Sequence, residues 1–157
     1  MSTNYEDLLA QIKTTLEAVS NVGKVYDYER YIKDEATLKN LFGTTISDQY
    51  QLRGWTITSP AMAEEREAAY GLHQRTLDFV LRGYLGVDDN NASEKTARIL
   101  AETVCDAFST NPFLGGVAFG AEPAQLEQFE YRRFGNVLCH YIEIKLQCRL
   151  RKQFTYQ

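Results

Sequence analysis

The sequence predicts an α+β fold: a mainly antiparallel β-sheet, two principal amphipathic helices packed on one face, and a long C-terminal strand. Two helical stripes and one alternating run carry that prediction. Tyr5, Leu8, Leu9, Ile12, Leu16 and Val19 recur at the spacing that lines one side of a helix, as do Ala97, Leu100, Ala101, Val104 and Phe108. Near the C-terminus the period changes to two. Leu138, His140, Ile142, Ile144, Leu146, Cys148 and Leu150 share one strand face, and Tyr141, Glu143, Lys145, Gln147, Arg149 and Arg151 share the other.

The first helix has a capping-box pair in Thr3 and Glu6, and Ser20-Asn21-Val22-Gly23 stops it. Lys24 to Tyr31 alternates tyrosine with charge, which suits a strand or extended arm. Asp34 caps a short helix carrying Leu38, Leu41 and Phe42, closed by Gly43. Arg53 to Thr58 reads as a strand with Trp55 and Ile57 on one face, and Ser59-Pro60 is expected to end it. Residues Ala61 to Gly71 are rich in Ala and Glu between two strand-like stretches, so a long, partly helical or mobile loop is expected. His73 to Tyr84 is a strand with Leu77, Phe79 and Leu81 turned together. Asn91 and Glu94 fit a capping box for the second long helix, which Asn111-Pro112 terminates. Leu126 to Phe134 is a weaker strand, joined to the last one by Gly135-Asn136 as a type II′ hairpin turn. Clean alternation in neighbouring strands argues for a sheet with one face wet.

At 157 residues the chain has the size of one domain, expected over 1–157. Apolar residues make up 44% and charged residues 24%, which argues against disorder, and a net charge of −4 excludes a whole-domain basic footprint for nucleic acid. Cys105, Cys139 and Cys148 are odd in number and far apart, which suggests neither a disulfide framework nor a zinc site. The opening MSTNYEDLLAQI is acidic and amphipathic, unlike a secretory leader, and no apolar run approaches membrane-spanning length. A soluble protein made in the cytoplasm, without a membrane partner, is expected.

The chemistry-bearing residue types do not converge. The two histidines, His73 and His140, lack a nucleophile-elbow context, and His140 reads as a buried, hydrogen-bonded strand residue. Asp88, Asp89, Asn90, Asn91 and Glu94 supply oxygens but not in an EF-hand register; a turn and helix cap explains them. Gly115, Gly116 and Gly120 are followed by no Gly-Lys-Ser/Thr and read as turn glycines. The expectation is no enzyme, no cofactor and no metal; a catalytic reading would have to rest on His140 or the Asp88–Glu94 turn. Two surface candidates remain. Tyr26, Tyr28, Arg30 and Tyr31 carry the residue types enriched at interfaces. Arg149, Arg151 and Lys152, with Lys145, concentrate positive charge that suits an acidic neighbouring subunit or passing nucleic acid.

The stretches GKVYDYERY (23–31), GWTIT (54–58), RTLDFVLRGYLGVDDNNASE (75–94) and RFGNVLCHYIEIKL (133–146), taken with the two helices, resemble the tail-terminator (tail completion) proteins of long-tailed bacteriophages. The resemblance covers most of the chain and rests on element order, because no short motif marks this family. It implies a structural virion protein of the neck: a homo-oligomeric ring, typically of six subunits, that caps the tail tube, stops its polymerisation and joins tail to head. The implied partners are further copies of the chain, the tail-tube protein and a connector or stopper protein, with passive DNA contact in the lumen. Residues 59–72 look like an insertion relative to compact members, and the C-terminal end is unusually basic. These departures keep a head–tail adaptor or stopper as the alternative.

Overall fold

In the computed structural model, which describes residues 4–157, the chain runs α1 (Tyr5–Glu17), β1 (Lys24–Tyr26), α2 (Glu35–Phe42), β2 (Gly43–Ile46), β3 (Gln49–Ala68), β4 (Leu72–Gly86), α3 (Ser93–Ser109), β5 (Gly120–Ala121), β6 (Gln125–Phe134) and β7 (Val137–Gln153). The strands form a mixed, mostly antiparallel sheet in the order β1-β3-β4-β7-β5, with β2 also on β3 and β6 also on β7. Of these pairings β1 with β3 alone is parallel. The α+β architecture and the long last strand are as the sequence predicts.

Local capping chemistry sets the helix starts. The Asn4 side chain accepts from the Asp7 amide at 3.1 Å and Asp7 Oδ2 accepts from the Asn4 amide at 3.0 Å, a closed capping box for α1. The expected box of Thr3 and Glu6 involves Thr3, which lies outside the described residues. Asp34 caps α2 by accepting from the Thr37 amide at 2.8 Å. The expected Asn91–Glu94 box of α3 does not form. Asn91 belongs to a 3-10 turn, Asp89–Asn91, and donates through Nδ2 to Asp88 Oδ2 at 2.6 Å, while Ala92 takes the N-cap position with φ 55°. The turn closes instead through Ser93, whose Oγ accepts from the Asp88 amide at 2.8 Å, so the helix begins later than that box requires.

α1 and α3 cover one sheet face. Leu8, Ile12 and Leu16 from α1, and Ala97, Leu100, Ala101, Val104 and Phe108 from α3, pack with Trp55, Ile57, Phe79, Leu81, Ile142, Ile144 and Leu146. The other face is not simply wet, which corrects the sequence reading. At the end where β7 begins, α2 lays Leu38 and Phe42 on Tyr84, Cys139 and Tyr141, a second buried cluster. Tyr141 therefore sits at 1% exposure on the face that farther along carries Lys145 and Arg151. The strand is two-faced, but its polar face is polar over only part of its length.

Two glycines let the ring-bearing residues approach the sheet. Gly83 pairs with Trp55, and a Cβ there would stand 2.8 Å from the indole. Gly54 pairs with Tyr84, and a Cβ there would overlap the Phe42 ring. One glycine opens each face to one aromatic ring. The β6–β7 turn is the expected two-residue hairpin, with Phe134 opposite Val137 and Gly135 at φ 62°.

Residues 59–72 overturn an expectation. Residues 59–68 form neither loop nor helix: β3 runs through Ser59-Pro60 with a register shift between Thr58 and Ala61, then pairs with β4 as far as Ala68 opposite Leu72, and only residues 69–71 make a turn. Pro60 is tolerated because β3 has no outer strand partner there among the described residues, so its missing N–H breaks no ladder. The arm expected over Lys24 to Tyr31 is strand only to Tyr26. β7 is flanked by β4 on one side and by β5 and β6 on the other, so it offers no long free edge among the described residues. Among the described residues the longest open edges belong to β6 and to the distal half of β3, and the short strands β1, β2 and β5 leave shorter ones.

Candidate functional site

The first interface candidate divides between core and surface. Tyr26 turns inward: its hydroxyl donates to the Leu41 carbonyl at 2.5 Å and its ring lies 5.8 Å from that of Phe42. Arg30 stacks over both Tyr26, at 4.6 Å, and Tyr28, at 5.0 Å. Tyr28 and Tyr31 are exposed, at 55% and 81%. The second candidate is largely paired within the chain. Arg149 meets Glu122 at 3.2 Å, and Arg151 meets Glu67 at 3.0 Å while lying 3.8 Å from the Phe119 ring centroid. Exposed pairs of this kind contribute up to about 1 kcal/mol each. Lys152 is half-buried and has no ion pair among the described residues. The two candidates are not brought together: Tyr26 flanks β3 through β1, whereas Arg149 and Arg151 lie across β4 on β7.

The structure does bring together groups that the sequence keeps far apart. At the end of the sheet where β3 begins and β4 ends, a cleft of ≈ 740 Å³ is lined by Gln51, Leu52 and Arg53 of β3, by the Gly86–Asp88 exit from β4, by Ser93 and Thr96 of α3, and by the start of β7. Arg53 is 8% exposed. Its Nη1 donates to the Asn21 carbonyl at 2.9 Å and its Nη2 to Gln51 Oε1 at 2.7 Å, and its Nε has no partner among the described residues. Burial pulls its pKa down, since removing water penalises the charged form. Sequence reading passed over Arg53, although alternation with Trp55 and Ile57 places it on the inward face.

Beside this cleft Ser93 Oγ lies 2.8 Å from His140 Nε2. The hydroxyl already accepts the Asp88 amide, so its own proton is free to serve Nε2, an arrangement that favours the neutral imidazole with Nδ1 protonated. His140 is 1% exposed and flanked by the rings of Phe129 and Tyr131, at 6.1 and 5.2 Å. It is the buried, hydrogen-bonded histidine that the strand pattern predicts. The contact joins the start of α3 to β7. A serine beside an imidazole is also two parts of a nucleophilic relay, but no carboxylate holds the imidazole among the described residues. Nor do the described residues contain a cluster of three His, Cys, Asp or Glu side chains placed to hold a metal.

Burial pushes the His140 pKa below its ordinary value near 6.5, with Glu94 acting weakly the other way. The unfolded chain therefore binds more protons than the folded one between the lowered value and 6.5. The stability this group contributes is complete above about pH 6.5 and is lost as pH falls towards the folded value. Thermal melts are expected to show Tm falling below about pH 6.5, and His140→Gln is expected to flatten that segment. An unchanged slope in the variant would assign it to other groups.

The described helices include none long and apolar enough to cross a membrane. In comparisons with known proteins the chain matches no family model and no curated sequence.

Proposed function

We propose that the chain is a structural subunit of a bacteriophage neck, a tail-terminator-like protein whose copies form a ring that caps the tail tube and joins it to the head. The observation that carries this reading is the long, open-edged limb of the sheet. β3, β4 and β7 contain 20, 15 and 17 residues, whereas strands of about 5–6 are usual. β3 alone has a contour of roughly 65 Å at ~3.3 Å per residue. Its residues from Pro60 to Glu67 are all exposed, and their outer backbone edge has no strand partner among the described residues. At the opposite side of the sheet β6 presents a second free edge, with Leu126 and Tyr131 exposed. A sheet with a free edge on each side suits lateral, head-to-tail contact between copies, which closes into a ring when the rotation allows. Such work requires surface complementarity and no tuned catalytic group.

The test is size-exclusion chromatography with light scattering over a concentration series, followed by negative-stain imaging with purified tail tubes. A closed multi-copy species, or tubes capped at one end, is the expected result. A protein that stays monomeric at every concentration and leaves tube ends uncapped would refute the reading.

A further inference from the structure

We propose that the cleft between β3 and the start of α3 is a seat for an oxyanion, a carboxylate or phosphate group, with the Arg53 guanidinium as its main contact. Three observations lead there. Arginine stays charged, and buried cations are ordinarily paired with an anion, yet no carboxylate lies within ion-pair distance of Arg53 among the described residues. Two of its N–H groups are held by neutral oxygens and Nε by none, so the site compensates the charge only in part. Arg53 lines the cleft together with Gln51, the side chain that accepts from Nη2.

The far wall adds polarity of the same sign. α3 begins at the cleft with Ala92 as its N-cap, which supplies no side-chain acceptor, and Ser93 and Thr96 of its first turn line the space. First-turn amides carry the positive end of the helix dipole and suit an anion. Asp88 also lines the cleft, with Oδ2 held by Asn91, so the anion's place is on the Arg53–Gln51 side. This inference does not depend on the ring reading and would survive its failure.

Thermal melts in sodium phosphate and in sodium acetate, each matched in ionic strength by sodium chloride, read the seat directly. At saturating anion a Tm rise of about 2–4 °C over chloride is expected. A rise with phosphate alone assigns a phosphoryl ligand, and a rise with both assigns a seat that also takes carboxylates; each supports the proposal. Gln51→Glu is the decisive variant, because it puts a carboxylate where the amide oxygen already meets Nη2. It is expected to raise Tm without added anion and to remove the anion response. No rise beyond chloride in the native protein, or an undiminished rise in Gln51→Glu, would overturn the proposal.

Discussion

Trp55→Ala is expected to destabilise the fold by about 4–5 kcal/mol, near the top of the range for large-to-small core changes. The indole is 0% exposed, lies over Gly83 on the neighbouring strand, and donates through Nε1 to the Val22 carbonyl at 3.1 Å. Truncation opens a cavity between β3, β4 and the end of α1. It also leaves a buried carbonyl at the α1–β1 connection without its donor, a further cost of about 1–3 kcal/mol included in the upper part of that figure. Because folded domains are stable by only about 5–15 kcal/mol, the variant is expected to lose from roughly a third to nearly all of its stability. Trp55→Phe separates the two contributions. It keeps most of the ring and removes the N–H, so a loss of about 1–2 kcal/mol is expected. Equilibrium urea denaturation followed by far-UV circular dichroism checks both variants. A loss below 1 kcal/mol for Trp55→Ala would mean that the indole does not anchor this core.

How far the fold can be read from the chain depends on whether the deciding contacts are local. Asp34 reaches its own helix three residues on, Gly135 sets its own φ, and the stripe from Ala97 to Phe108 needs no partner to be recognised. These features were legible. Residues 61–68 were not, because their Ala and Glu content argues against a strand and only their neighbours make one of them. Glu64 meets Arg75 at 2.5 Å and His73 at 3.1 Å across the hairpin, and Glu67 reaches Arg151 on β7. Strand preference follows what lies opposite more than the residue itself. The second cluster was missed for a related reason. Cys139 and Tyr141 alternate like the charged residues that follow, and nothing in that run says that α2 folds over them.

The cleft shows the same limit more sharply. Ser93 and His140 are 47 residues apart and meet through tertiary packing alone. Each lay within a stretch that the sequence marked, the turn before the helix and the last strand, but nothing local joins those stretches. Arg53 was legible in direction and illegible in burial. The period of two turns it inward with Trp55, while an arginine at a strand end ordinarily reads as solvent-facing. Of the interface residues, Tyr26 reads the same as Tyr28 and Tyr31 in sequence. It is Leu41, fifteen positions later, that draws its hydroxyl inward.

Phe42→Ala is expected to cost about 3–5 kcal/mol, and the more informative result is its coupling to Gly54→Ala. Phe42 is 0% exposed, stacks on Tyr84 with ring centroids 5.4 Å apart, and lies against Gly54 so closely that any Cβ there meets the ring. Gly54→Ala alone must push the ring and α2 off the sheet, an overpacking cost of about 1–3 kcal/mol. In Phe42→Ala the obstruction is gone, and the new methyl enters space that the ring has vacated. The two losses therefore should not add: the double variant is expected to be more stable than the sum of the single losses predicts, by about 1 kcal/mol or more. Urea midpoints of the four proteins, at a common denaturation slope, measure that difference. Additivity within about 0.3 kcal/mol would mean that α2 is not held to the sheet through this contact, and that Tyr84, Cys139 and Tyr141 owe their burial to another part of the chain.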